Sequence, residues 1–218
     1  GVLVGAFNGL APFVARDIEM TASGTAQLMS VAILGGLLLQ WPLGKLSDRM
    51  DRRIVIIGVT LGIIAAGAAG AALTQLNPRA LIFLAPVLGG ALFSLYPLCV
   101  AHTNDFLDPH EMVAMSGDLI LVYGIGAILG PFGASALIVL LGPDGLFIFM
   151  AMCAVVVTAF ALFRVQQRAP ATEENKESFQ VVSGTTTTVS PELDPRGDTE
   201  QSELDLNAPP MGVEQEQK

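Results

Sequence analysis

Long apolar stretches separated by short polar connections make up the first three quarters of the chain. The apolar stretches cover about residues 1–15, 24–43, 54–73, 80–101, 112–141 and 146–163. A helix of about 20 residues extends about 30 Å, which is enough to cross the hydrocarbon core of a bilayer. The pattern therefore predicts an all-α, polytopic membrane helix bundle over residues 1–164, with one partial span followed by five complete spans.

The apolar pattern stops near residue 165, and residues 165–218 are rich in Glu, Ser, Thr, Pro and Gln. Such a composition cannot bury enough apolar surface to offset the entropy of ordering, so we expect a disordered acidic tail. This segment carries most of the acidic excess behind the net charge of −9. Without the tail, the predicted bundle is nearly neutral.

Composition supports the membrane class, because 52% of the residues are hydrophobic and only 14% are charged. Soluble domains carry about a quarter charged residues. The chain has no basic face interleaved with aromatic residues, which argues against nucleic-acid binding. Cys99 and Cys153 lie within apolar stretches and are interpreted as reduced packing residues. No cofactor-binding motif and no convergent set of catalytic residues is apparent, so an enzyme is not expected.

One connection concentrates positive charge and predicts the orientation of the bundle. Lys45, Arg49, Arg52 and Arg53 lie between the second and third apolar stretches. An excess of Lys and Arg in short loops marks the cytoplasmic side of a membrane. We therefore expect residues 44–53 and the C-terminal tail to be cytoplasmic, and residues 16–23, 74–79 and 142–145 to face outward.

The same connection carries a family signature, which we interpret as a short polar turn. Gly44, Asp48, Arg49, Arg52 and Arg53 form the pattern Gly-x-x-x-Asp-Arg-x-x-Arg-Arg. This pattern resembles the signature loop between the second and third helices of each half of the major facilitator superfamily, and the fuller string from Gln40 is similar to the YcaD-like bacterial branch. Asp51 stands where the usual pattern has Gly, and Asp is among the residues that tolerate a left-handed backbone.

The resemblance implies a fold and a function. It identifies residues 1–164 as the second six-helix half of a transporter, so the chain is expected to be a fragment that acts with a missing N-terminal half in a bacterial inner membrane. The implied activity is secondary transport of a small solute by alternating access, with H+ as the expected coupling ion. A non-transporting membrane scaffold or sensor, whose acidic tail recruits a partner, is the alternative.

Two polar residues within the predicted spans are candidates for the transport pathway. Asn8 lies at the centre of the first stretch, where an amide either bonds to a neighbouring helix or lines a cavity. Tyr96 lies in the fourth stretch beside Pro97, which should bend or loosen that helix. Such a bend suits a helix that moves during transport, and it also suits irregular packing.

The connection from His102 to Glu111 contains further candidates. His102, Asn104 and Asp105 could lie at a cytoplasmic helix end that faces the mouth of a cavity. The cluster of His and acidic residues also suggests metal binding. It lacks a recognisable ligand spacing, so an ordinary loop with helix caps is preferred.

The fifth stretch combines an acidic residue with a packing motif. Asp118 is either an intramembrane carboxylate that handles protons or solute, or an exposed first-turn residue if the helix begins after Met112. Gly126, Gly130 and Pro131 form a Gly-x-x-x-Gly-Pro element that resembles a motif from the fifth helix of exporters. These residues predict close helix packing and a bend.

Overall fold

The computed structural model describes the backbone of residues 1–107 and 109–167 and the side chains of residues 1–107 and 115–165. Within this part all regular elements are helices, joined by short connections. The helices are α1 (Val2–Asp17), α2 (Ala22–Arg49), α3 (Arg52–Leu76), a 3-10 turn (Pro78–Ala80), α4 (Leu81–Asn104), α5 (Pro109–Leu141) and α6 (Asp144–Gln167). Five of them, α2 to α6, are long and apolar enough to cross a membrane. The predicted all-α membrane bundle is therefore confirmed.

The basic connection is much shorter than the sequence suggested. Helix α2 continues through Pro42 and Gly44 to Arg49, and α3 begins at Arg52. The interpretation of residues 40–53 as a polar turn is therefore wrong, because only Met50 and Asp51 are non-helical. Pro42 does not end α2; long helices in membranes can accommodate a proline when neighbouring groups satisfy the backbone.

Asp51 ends the turn as an N-cap and does not adopt a left-handed backbone. Its φ is −63° and its ψ is 119°, and its carboxylate accepts a hydrogen bond from the backbone N–H of Arg53 at 2.9 Å. An Asp at this position satisfies one of the free N–H groups that begin every helix. The residue that departs from the family pattern thus has a capping role of its own.

Two other predicted boundaries also shift. His102 and Asn104 belong to α4, and residues 109–111 belong to α5, so most of the connection expected over residues 102–111 is helical. Residues 165–167, expected to begin the tail, continue α6. The rest of the predicted tail, and Asp108, lie outside the described residues.

Glycines set the distance between the main helix pairs. Helix α2 packs chiefly against α4, α3 against α6 and α1 against α5. A Cβ added to Gly35 of α2 would lie 2.0 Å from the carbonyl oxygen of Pro86, and one added to Gly89 of α4 would lie 2.1 Å from that of Ala32. The backbones of α2 and α4 therefore touch directly, which only glycine permits.

The α1 and α5 pair uses the same device around the predicted packing motif. A Cβ at Gly130 would lie 2.2 Å from the carbonyl oxygen of Val2, and one at Gly126 would lie 2.9 Å from the Val2 nitrogen. Gly5 of α1 approaches the carbonyl of Ala127 equally closely. Pro131 follows inside the continuous helix α5.

The glycines of α3 divide into two groups. A Cβ added to Gly67 would lie 2.9 Å from the carbonyl oxygen of Phe147 in α6, and one added to Gly70 would lie 2.3 Å from the Phe147 ring. Gly58 and Gly62, which are four residues apart, have open space where a Cβ would be. Spacing alone does not reveal which face of a helix meets a neighbour.

Side-chain hydrogen bonds join α3 and α6 at two places along the helices. The hydroxyls of Thr60 and Thr158 are 2.8 Å apart, and both residues are buried. At the end where α3 stops and α6 begins, Thr74 donates to the carboxylate of Asp144, and the Gln75 amide donates to its other oxygen at 2.8 Å. These side chains find partners within the bundle, as a lipid environment requires.

The glycine contacts give a direct test of the α2–α4 interface. Gly35→Ala should lower the free energy of unfolding by about 1–3 kcal/mol, because the new methyl group would overlap the Pro86 carbonyl. Gly58→Ala is the matched control; it should be neutral or stabilising by up to about 1 kcal/mol, since alanine favours a helix and the site is open. The measurement is thermal unfolding of the full-length protein in detergent. Equal melting temperatures for the two variants would contradict the close approach.

Candidate functional site

A buried charge cluster lies at the end of the bundle where α2 stops, α3 begins and α4 stops; we call this the basic end. Arg52 is 2% exposed and Asp105 is 5% exposed. The Nε of Arg52 donates to Oδ2 of Asp105 at 2.7 Å, a short charge-assisted hydrogen bond. Arg52 thereby fixes the start of α3 to the residue that follows α4.

Asp48 joins the same cluster from α2. Its Oδ1 lies 3.6 Å from Nη1 of Arg52, and its side chain is 33% exposed. The spacing of four residues places the acid one helical turn before the arginine, although the chain turns between them at Met50 and Asp51. One guanidinium therefore contacts acidic groups from two other elements, and one of those groups is accessible from outside the bundle.

Small residues let the helices converge on this cluster. Gly44 is buried in α2, and Ser47 is fully buried one turn further on. Larger side chains at these positions would hold the end of α2 away from its neighbours. The glycine of the signature is thus a packing residue, and the acid and arginine are the charged part of the site.

A second group of side chains extends from the cluster along α4. The guanidinium carbon of Arg53 lies 5.8 Å from the centre of the Phe106 ring, and the His102 ring meets the same Phe106 edge-on at 5.2 Å. Arg53 is itself buried. The structure therefore brings His102 and Asp105 to the same end, but through different partners.

Ser47 and Asn104 each place a buried polar atom near the ends of these helices. In the described part of the chain, no hydrogen bond reaches Oγ of Ser47 or Oδ1 of Asn104. Buried groups of this kind are commonly satisfied by an ordered water. Asn104 therefore contributes an available acceptor at the basic end.

Arg49 and Lys45, the other basic residues of the connection, are exposed on α2. The ammonium of Lys45 lies 5.2 Å from the centre of the exposed Trp41 ring. Arg164, near the end of α6, lies in a similar way over Phe160 at 5.8 Å. Basic side chains paired with aromatic rings are typical of the boundary between hydrocarbon and headgroups.

A pair of tyrosines forms the main aromatic contact between α4 and α5. The ring centres of Tyr96 and Tyr123 are 4.7 Å apart and the planes are inclined by 58°. Both residues are partly exposed, and neither hydroxyl has a hydrogen-bond partner among the described residues. Among the described residues α4 and α5 make few other contacts, so this pair is the main link between the two helices.

Asn8 lies on the exposed side of α1. In the described part of the chain it makes no hydrogen bond to another helix, so the helix-packing interpretation of Asn8 is not supported within this part. An amide in a membrane span needs a polar partner. Its position leaves it available to water, solute or a further helix.

Asp118 lies on an exposed, otherwise apolar face of α5. The helix begins at Pro109, so Asp118 is about 14 Å along it. One alternative was that the helix starts after Met112, which would make Asp118 a first-turn residue. That alternative is therefore wrong. Exposed apolar side chains continue the same face towards the far end of α5, namely Val122, Ile125, Leu129 and Phe132.

Sequence reasoning missed several of these contacts. The pairing of Arg52 with Asp105 joins residues 53 positions apart, and no local pattern encodes it. Tyr123 was overlooked, although it is one of only two tyrosines in the chain and lies in a predicted span. Among the described residues no group of three His, Cys, Asp or Glu side chains is arranged to hold a metal ion.

Comparisons with known proteins identify the family to which the chain belongs. The sequence profile of the Major Facilitator Superfamily matches residues 1–202. The chain is 32% identical over 171 residues to an uncharacterized MFS-type transporter, YcaD, of Salmonella typhi, covering 77% of this chain and 42% of that protein. It is 34% identical over 155 residues to YcaD of Salmonella paratyphi B, covering 69% and 38%.

The chain thus spans about two fifths of the length of these relatives. The match extends across α1 to α6 and includes the Gly-x-x-x-Asp-Arg-x-x-Arg-Arg pattern on which the buried cluster is built. Sequence profile, helical architecture and signature residues agree, and the chain is an integral membrane protein of the major facilitator superfamily with relatives of the YcaD type.

Proposed function

We propose that this chain forms one six-helix half of a secondary transporter that moves a small solute by alternating access. The observation that carries the proposal is the charge cluster of Asp48, Arg52 and Asp105, since it ties three helix ends into one unit at one end of the bundle. A half that moves as a body needs such a fixed end. The relatives are more than twice as long as the matched region, which is consistent with a second half.

The proposed orientation places the basic end in the cytoplasm of a bacterial inner membrane. Lys45, Arg49 and Arg164 lie exposed at this end, two of them against aromatic rings. Basic residues at membrane ends are retained on the cytoplasmic side. The C-terminal segment after α6 would then be cytoplasmic as well.

We assign Asp48 the role of a latch between the two halves. Arg52 contacts its carboxylate, and a third of the side chain is exposed. We propose that this carboxylate also approaches a helix N-terminus of the companion half, an interaction worth about 0.3–1 kcal/mol and more when partly buried. Making and breaking that contact would shift the balance between inward-open and outward-open states.

The solute pathway is proposed to run along polar groups of α1, α4 and α5 that are exposed or partly exposed. Tyr96 and Tyr123 supply two hydroxyls that have no hydrogen-bond partner among the described residues, and Asn8 supplies an amide. Asp118 is a carboxylate within the span of α5 and would face the pathway or the companion half, since facing lipid would be costly. H+ is the proposed coupling ion, with Asp118 as its carrier.

Breaking the buried ion pair is the first test. Arg52→Met should lower the free energy of unfolding by about 3–5 kcal/mol, because Asp105 would be left buried without its cation. The double variant Arg52→Met, Asp105→Leu should recover much of that loss. Arg49→Met, the same substitution at an exposed position of the same connection, should have little effect.

The measurement is thermal unfolding of the full-length transporter in detergent, with solute flux recorded in proteoliposomes. If the double variant is stable but the flux is lost, the pair serves the transport cycle as well as folding. The single variant Asp105→Leu completes the comparison. If the double variant lost as much unfolding free energy as Arg52→Met and Asp105→Leu together, direct coupling between Arg52 and Asp105 would be contradicted.

Orientation is tested by labelling single cysteines in intact cells. With Cys99 and Cys153 replaced by alanine, Met50→Cys should react with a membrane-impermeant maleimide only after the cells are opened. Leu76→Cys, at the opposite end, should react from outside; both side chains are exposed. Labelling of residue 50 from outside would reverse the proposed orientation. Ser47 of the same connection is fully buried and is therefore unsuitable for labelling.

Asp118 is tested by its effect on proton coupling. Asp118→Asn should abolish solute-driven acidification inside proteoliposomes, measured with a trapped pH-sensitive dye, because an amide cannot carry a proton across the working pH range. Asp17→Asn, an exposed acid at the end of α1, is the control and should behave as the parent. An unchanged pH profile in Asp118→Asn would remove this carboxylate from the mechanism.

A further inference from the structure

Pro97 leaves a gap in the hydrogen bonding of α4. Proline has no backbone N–H, so the carbonyl oxygen of Phe93, four residues earlier, has no donor from its own helix. Helix α4 nevertheless continues to Asn104, and Pro97 is buried inside the bundle. A backbone carbonyl in that setting must be satisfied from elsewhere.

Gln40 of α2 supplies the missing donor. Its Nε2 lies 3.0 Å from the Phe93 carbonyl oxygen, within the range of a good hydrogen bond. The amide orientation is fixed by chemistry, because a carbonyl accepts only from the NH2 group of glutamine. The bond therefore joins two helices at the one carbonyl that Pro97 leaves open.

The surrounding contacts hold Gln40 in register with this carbonyl. A Cβ on Gly36, one turn before Gln40, would lie 2.7 Å from the ring of Phe93. A Cβ on Gly90 would lie 2.1 Å from the side chain of Leu39. The close approach of α2 and α4 thus brings the short glutamine side chain within reach of the α4 backbone.

The position of the bond gives it a mechanical consequence. The segment of α4 after Pro97 carries His102, Asn104 and then Asp105, the partner of Arg52. We propose that Gln40 is a positioning residue: it closes the gap at Pro97 and couples the C-terminal third of α4 to α2. This coupling rests on the contacts in the bundle and holds whether or not the proposed solute pathway is correct.

The test is a double-mutant cycle read by hydrogen exchange on the full-length protein in nanodiscs. Gln40→Met removes the donor at nearly constant volume, and it should speed amide exchange in the segment after Pro97 by roughly threefold to tenfold. Residues 81–92 of the same helix should exchange as in the parent. Gln27→Met, the same substitution at an exposed position of α2, should leave both segments unchanged.

The second arm restores the backbone donor. In Pro97→Ala the N–H of residue 97 can bond to the Phe93 carbonyl, so Gln40→Met should then have a much smaller effect on exchange. A simple packing role for Gln40 would give the same effect in both backgrounds, and that result would overturn the proposal. If Pro97→Ala does not fold, unchanged exchange after Pro97 in Gln40→Met alone would also overturn it.

Discussion

The ion pair between Arg52 and Asp105 is the contact on which the geometry of the basic end depends. Both groups are almost fully buried, so each would carry a large desolvation cost without the other. The pair is formed between the first residue of α3 and the residue that follows α4, and Asp48 adds a contact from α2. Three helix ends are therefore placed by one guanidinium, and a lysine could not replace its several donors.

The same requirement, that buried polar groups find partners inside the bundle, explains the other polar contacts. Thr60 bonds to Thr158, Thr74 and Gln75 bond to Asp144, and Gln40 bonds to the backbone of α4. Glycine makes these contacts possible, because backbones that touch bring short side chains within reach. Close packing of the helix backbones thus allows the polar contacts between the helices to form.

The fold class could be predicted from the sequence, but the contacts of the charge cluster at the basic end could not. Apolar stretches of membrane length reveal helices because their number and length are local properties. The limits of α2 and α3 were misplaced because charged residues in a helix resemble those in a loop, and Asp51 alone marks the true break as an N-cap. Asp105, the buried partner of Arg52, and the Phe93 carbonyl, the partner of Gln40, are each 53 residues away, and only the folded bundle identifies them. Gly58 and Gly62 have the spacing of a packing pair but face open space, because spacing does not specify which face of a helix meets a neighbour.

The two contacts that fix the C-terminal third of α4 differ in strength, and this difference bears on how that segment would move. A hydrogen bond between neutral groups contributes about 1 kcal/mol, whereas leaving one charge of a buried ion pair without its partner costs about 3–5 kcal/mol. Gln40 therefore releases the Phe93 carbonyl more readily than Arg52 releases Asp105. Motion of α4 against α2 should begin at Pro97, where the backbone already lacks one of its own hydrogen bonds, while the charged end remains attached to α3.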